Sequence, residues 1–262
     1  MEKKALLVVS FGTSQNGARE AAIDKLEQEL AAAFPDRKFY QAWTSKIIIR
    51  KVRERDGVVH DTVEQALEKM ADDGINDLLI QPTNIINGFE YEDILEATGN
   101  AADHFSRIRI GNPLIACRKD YEDVADILKK QADALDADEA LVVIGHGTEH
   151  YANAVYPELL NVLRQKGCGN IFVGTVEGKP DFDEMQKELS KTDFKKVSMM
   201  PFMLVAGLHA LEDMAGNDEN SWTKRLEKQG YQVHCQIKGL GENAAIRALY
   251  LDHARNAYSF PK

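Results

Sequence analysis

Ala140-Leu141-Val142-Val143-Ile144-Gly145-His146-Gly147-Thr148-Glu149-His150 is the stretch that decides how the chain is read. Five apolar residues in a row, closed by glycine, describe a strand covered on both faces, because a half-exposed strand would alternate apolar with polar. Such strands build parallel sheets, and in open α/β sheets ligands gather beyond the strands' carboxyl ends. His146 falls just there. The glycines flanking it remove side chains that would hold a ligand away from the backbone.

Upstream, strand and helix signals alternate. Residues 4–9 make a first buried strand. Ile23, Leu26, Leu30 and Phe34 mark one face of a helix that stops at Pro35, and 38–42 is a short strand. Thr44 is the expected cap of a helix carrying Ile47 to Val52, and Thr62 with Gln65 forms a capping box for the next one. Strands at 76–81 and 107–110, with helices from about Tyr91 and over 121–134, complete the first half. From 140 the rhythm restarts, with further strands at 170–175, 196–201 and 231–236 between helices at 151–166, 181–190, 217–229 and 242–258. This alternation predicts an α/β fold of two similar doubly wound parallel-sheet lobes, 1–135 and 136–262, with an active-site cleft between them. The last helix is free to pack back on the first lobe.

The restart reads as a duplication. Leu7-Val8-Val9-Ser10-Phe11-Gly12-Thr13 aligns with Val142-Val143-Ile144-Gly145-His146-Gly147-Thr148 at an offset of 135, which sets Phe11 opposite His146. Leu78-Leu79-Ile80-Gln81-Pro82 aligns in the same way with Val197-Ser198-Met199-Met200-Pro201, which sets Glu90 opposite His209.

Composition narrows the class. A chain of 262 residues with a net charge of -10 is a poor match for nucleic acid or an anionic membrane surface, and no run of about 18 apolar residues exists to span a bilayer. Cys117, Cys168 and Cys235 are odd in number and widely spaced, without a C-x-x-C pair. They read as reduced thiols of a cytoplasmic protein, not as a disulfide frame or zinc knuckle.

The second half collects the chemistry. His146, Glu177 and His209 each follow the carboxyl end of a different expected strand, so a parallel sheet would bring them to one rim. Two imidazoles and a carboxylate suit cobalt, nickel, iron or zinc better than magnesium or calcium, and neutral imidazole accepts protons near pH 7. Spacing alone leaves open that each is a separate loop residue. His60, His104, His234 and His253 read as structural, and His150 as part of the helix that follows His146.

Several segments together carry a resemblance. They are Lys3 to Ser14, Ile48-Ile49-Arg50-Lys51, Ile85-Ile86-Asn87-Gly88, Gly145-His146-Gly147, Gly174-Thr175-Val176-Glu177-Gly178, Met203-Leu204-Val205-Ala206-Gly207 with His209, Asp213-Met214-Ala215, Ser221-Trp222 and Gly239-Leu240-Gly241-Glu242-Asn243. In this order, through nearly the full length, they resemble the anaerobic sirohydrochlorin cobaltochelatases, class II chelatases related to ferrochelatase. The resemblance implies a bilobal chelatase that inserts Co2+ into sirohydrochlorin without ATP, on the oxygen-independent route to cobalamin. Its partners are then the tetrapyrrole and the divalent metal, with no cofactor beyond that metal; a homo-oligomer is compatible with it. Iron or nickel insertion into a related tetrapyrrole, and a non-catalytic tetrapyrrole or metal carrier, are the alternatives.

On the same resemblance His146 and His209 are the paired active-site histidines and Glu177 completes the metal site. Phe11, Gly12 and Thr13 are expected against the macrocycle, and Glu90 as a guide for the metal or an acceptor of protons. Arg50, with Lys51, Arg53 and Arg55, is expected to meet the eight substrate carboxylates. Two positions depart from the family pattern: Asn84 stands where a histidine is usual, and Lys179 where an aromatic is usual, Lys179 being a possible partner for a substrate carboxylate.

Overall fold

A computed structural model describes residues 3–208 and 210–261. In chain order it contains β1 (Lys4–Ser10), α1 (Asn16–Arg19), a π-helical turn at Glu20–Asp24, α2 (Lys25–Ala33), β2 (Lys38–Trp43), α3 (Lys46–Asp56), α4 (Val63–Asp72), β3 (Asp77–Pro82), α5 (Phe89–Asn100) and β4 (Arg107–Ile110). Then come α6 (Arg118–Ala132), β5 (Glu139–Gly145), α7 (Val155–Gln165), β6 (Ile171–Thr175), α8 (Phe182–Leu189), β7 (Lys196–Pro201), α9 (Trp222–Glu227) and β8 (Gln232–Cys235), followed by α10 (Ala244–Arg255) and β9 (Tyr258–Ser259). Among the described residues no helix is long and apolar enough to cross a membrane.

The fold is α/β, with two parallel sheets. Sheet A has the order β2-β1-β3-β4-β9 and sheet B the order β6-β5-β7-β8; every neighbour pair is parallel except β4 with β9. The central strands β1 and β5 are buried from their second residue to their last, which is why their sequences show no polar alternation. One core gathers Leu7, Val9, Leu78, Ile80, Leu67 and Met70 on a face of sheet A, and another gathers Val142, Ile144, Met199, Met185 and Trp222 on a face of sheet B.

The two sheets repeat each other strand for strand. Val9 pairs with Pro82 and Ile144 with Pro201, so both aligned pairs of segments occupy the same register in their own sheet. Beyond the strands the pattern continues: Thr83 donates its N–H to the Val9 carbonyl at 2.8 Å and Phe202 donates to Ile144 at 2.7 Å.

The contacts divide the chain differently from the expected boundary at 135. One compact unit runs to Ala116 and resumes at Ala244; the other is Cys117–Asn243. Helix α6 goes with the second unit because it packs on α7, where Arg118 hydrogen-bonds Glu158 and Gln165. Helix α10 returns to the first unit, tied there by an Arg247–Glu29 ion pair and by the Tyr250 hydroxyl donating to the carbonyls of Thr83 and Asn84.

Local chemistry sets the helix ends. The Thr62–Gln65 box forms in both directions, at 3.3 and 2.9 Å. The cap of α3 is Ser45 and not Thr44: the Ser45 hydroxyl oxygen accepts from the Ile48 N–H at 3.3 Å, three residues on, where the helix's free donors lie. Residues 151–154 form a 3-10 turn before α7 begins, with His150 as its cap: Nδ1 accepts from the Ala152 N–H at 3.1 Å.

Glu27 on α2 is buried, and Oε1 has no hydrogen-bond partner among the described residues. Burial, with Asp24 adding to it and Arg19 opposing, pushes its pKa up to about 8. A carboxyl whose folded pKa lies above its unfolded one contributes stability that is complete in acid and is lost as pH rises through the folded value. Unfolding by urea between pH 5 and 9 is therefore expected to show the unsubstituted chain weakening on the order of 4 kcal/mol more than Glu27→Gln across that range. Parallel curves for the two proteins would refute this.

Candidate functional site

The carboxyl edge of sheet B is built by the loops that leave β5 and β6. Val176 donates its N–H to the Gly145 carbonyl at 3.0 Å and Glu177 donates to the His146 carbonyl at 2.7 Å, so the ladder between the two strands runs on past their ends. Gly147 then turns with φ 82, and a Cβ at this position would lie 2.4 Å from the Gly178 nitrogen. Only glycine lets the two loops touch this closely. Asn153 staples the same loops: its Oδ1 accepts from the Thr148 N–H at 3.1 Å and its Nδ2 donates to the Lys179 carbonyl at 2.7 Å.

This framework sets His146 beside Glu177, with Nδ1 3.7 Å from Oε2 and both side chains about half exposed. The His146 Nδ1 also lies 3.0 Å from the Gly147 carbonyl. An imidazole that donates from Nδ1 to that carbonyl keeps its Nε2 lone pair for a metal ion or a proton. The pair matches the donors that borderline divalent cations prefer. Among the described residues no group of three metal-capable side chains occurs. His209, the third expected member, lies outside the described residues.

The loop after β7 that leads to His209 is clasped from elsewhere in the unit. Leu240 donates its N–H to the Met203 carbonyl at 2.8 Å and Gly241 donates to Leu204 at 2.9 Å. A Cβ at Gly239 would sit 2.4 Å from the Leu204 oxygen, so the Gly239-Leu240-Gly241 segment holds this loop by close backbone contact. The turn Ala210–Met214 is π-helical, a departure from α-geometry that recurs at functional sites.

The carboxyl edge of sheet A has the same backbone with different tips. Thr44 donates to the Ser10 carbonyl at 3.0 Å and Ser45 donates to Phe11 at 3.2 Å, so Phe11 holds the place of His146 and Ser45 the place of Glu177. Phe11 is half exposed; Gly12 turns with φ 92 against the Trp43 ring, which in turn stacks on His60 at 3.5 Å. Thr13 is buried, with its hydroxyl accepting from the Gln15 N–H, so it shapes the turn. Glu90 stands exposed in the first turn of α5.

Two residues at this edge escaped the sequence reading. Ile47 is 69% exposed and Phe89 is 54% exposed, one at the start of α3 and one at the start of α5. Their positions just past β2 and β3 were the available signal.

The cations of α3 separate into two kinds. Arg55 is bound to the Ser14 carbonyl, Asn16 and Asp56, and so fastens the helix to the loop after β1. Arg50, Lys51 and Arg53 are exposed and make no hydrogen bond or ion pair among the described residues. Lys179 donates to Asp181 and lies 3.5 Å from Glu184, and the Asp181 hydrogen bond raises its pKa.

Known proteins resemble this chain over its whole length. A family model described as Cobalt chelatase (CbiK) matches residues 4–259. The sirohydrochlorin cobaltochelatase of Salmonella typhimurium is 42% identical over 255 residues, 97% of this chain and 96% of that protein. The sirohydrochlorin cobaltochelatase CbiKC of Nitratidesulfovibrio vulgaris is 34% identical over 263 residues, 99% of this chain and 92% of that one. SirB from Bacillus subtilis, solved with Fe3+, superposes with a TM-score of 0.65 over 97% of this chain and 95% of its own at 15% identity, a likeness of fold alone. With the match reaching from β1 to β9, the chain belongs to the cobalt chelatase (CbiK) family.

Proposed function

We propose that this protein inserts Co2+ into sirohydrochlorin, as the names of its two relatives describe. The reading rests above all on the His146–Glu177 pair, 3.7 Å apart at the carboxyl edge of sheet B in a chain of this family. A hydrated metal enters a tetrapyrrole only after water leaves the ion and protons leave the inner nitrogens. Imidazole and carboxylate replace water on the ion, and an imidazole not bound to it accepts a pyrrole proton. His146, Glu177 and His209 divide these tasks, with Co2+ as substrate and no cofactor besides it.

The carboxyl edge of sheet A supplies what a large flat polyanion needs. Phe11, Ile47 and Phe89 offer apolar surface to a macrocycle, while Arg50, Lys51 and Arg53 offer charge to its carboxylates. Glu90, on the same edge, takes up protons or guides the ion. Three free thiols fit a reducing cytoplasm.

Two experiments test this reading. His146→Ala, Glu177→Gln and His209→Ala are each expected to slow cobalt insertion, followed by absorbance, at least 100-fold with circular dichroism unchanged. Rates near normal in all three would remove the mechanism, and stoichiometric binding by the unsubstituted chain without turnover would make it a carrier. The combined substitution of Arg50, Lys51 and Arg53 by Gln should raise KM for sirohydrochlorin about tenfold or more and flatten its dependence on ionic strength, with kcat little changed. An unaltered KM at low salt would free α3 from substrate binding.

A further inference from the structure

The amino edge of sheet A, at the other end of its strands from Phe11 and Glu90, gathers cations in a chain whose net charge is -10. Lys4 opens β1, Arg37 precedes β2, Asp77 opens β3 and Arg107 opens β4. Asp77 is 2% exposed, and its carboxylate accepts three hydrogen bonds from Arg37, each 3.1 Å long. Arg37 also donates to the Ala5 and Asp77 carbonyls. That pair is complete and neutral by itself.

Two further guanidiniums crowd it without an acceptor of their own. Arg107 and Arg109 stand two apart on β4 and so share a face of the strand. They reach the Asp77 oxygens only at 3.9 and 3.8 Å, beyond hydrogen-bond length. Neither side chain makes a hydrogen bond among the described residues, and Nε of Arg109 is buried without a partner. Alongside, a depression of about 450 Å3 is lined by Lys3, Lys4, Asp36, Lys38, Asp73 and Ile75. Across the whole edge six cations stand against three aspartates: Lys4 meets the Asp36 carboxylate and Lys38 that of Asp73, while Lys3 donates to the Asp73 backbone carbonyl. Three positive charges are then in surplus, at Lys3, Arg107 and Arg109, and the two arginines stand together on β4.

Like charges pressed together on a partly buried face call for a counter-anion. Burial, then Arg37 and Arg107, lower the pKa of Arg109, in keeping with this crowding. We propose that Arg107 and Arg109 form a binding site for a dianionic tetrahedral oxyanion of the phosphate type, free or carried as a phosphate monoester. Two guanidinium forks match the oxygens of such an ion, and two negative charges balance the two cations left in excess once Arg37 has neutralised the Asp77 they share. The site is separate from the carboxyl-edge loops proposed to serve the tetrapyrrole.

Thermal unfolding of the whole chain, with sodium chloride replaced stepwise by sodium phosphate at constant ionic strength and no added metal, tests this. A saturable rise in Tm of roughly 2–4 °C is expected. It should vanish in Arg107→Gln with Arg109→Gln, and shrink clearly in Arg107→Gln alone, whose exposed side chain makes no hydrogen bond that the fold could lose. Glycerol 3-phosphate in place of phosphate separates the two sources: a rise at lower concentration favours a monoester, an equal or weaker one the free ion. No rise beyond that of chloride in either arm, or an equal rise in Arg107→Gln and in the double variant, overturns the proposal.

Discussion

Two backbone hydrogen bonds set where His146 and Glu177 stand, from Val176 N–H to the Gly145 carbonyl and from Glu177 N–H to the His146 carbonyl. Neighbouring parallel strands end at the same level, so their loops leave the sheet side by side; these bonds keep them together for one more step. Just past them, Gly147 and Gly178 meet backbone on backbone. The side chains of His146 and Glu177 thus meet because the main chain brings them together. Both remain about half exposed and stand 3.7 Å apart.

The same backbone device occurs in the first unit and carries other side chains. Ser45 N–H bonds to the Phe11 carbonyl as Glu177 N–H bonds to His146. A duplicated sheet thereby gives two equivalent edges whose tips are free to diverge, since the ladder is made by backbone atoms alone. One edge carries the His146–Glu177 pair, proposed above to meet the metal. The other carries exposed Phe11, Ile47 and Phe89, which cannot ligate an ion but suit an aromatic ring.

Much of this was legible in the sequence, for identifiable reasons. Strands buried on both faces leave apolar runs such as Leu141–Ile144, and the register of the repeat survived because Pro82 and Pro201 end matching strands. The Thr62–Gln65 box needed only the right two residue types one helical turn apart. Other features turned on tertiary contacts that no local pattern records. The boundary between units depends on α6 packing on α7, and strand β9 is two residues long, too short for periodicity. The ion pairs of Lys179 with Asp181 and Glu184, and the burial of Thr13 in its turn, are likewise set by the folded loops. Exposure of Ile47 within Ile47-Ile48-Ile49 depends on which side of α3 meets the sheet.

The openness of the His146–Glu177 pair bears on what a metal would do there. A site that keeps its ion for the life of the protein surrounds it, usually with four protein ligands and a hydrogen-bonded outer shell. Here the donors stand on loop tips at half exposure, with the Gly147 carbonyl 3.0 Å from the imidazole Nδ1. On the function proposed above, donors this open would leave coordination positions to water or to incoming nitrogen donors. For a metal that is consumed as substrate this is the required compromise: each additional protein ligand would deepen the well from which the ion must leave, and so slow its transfer to the ring.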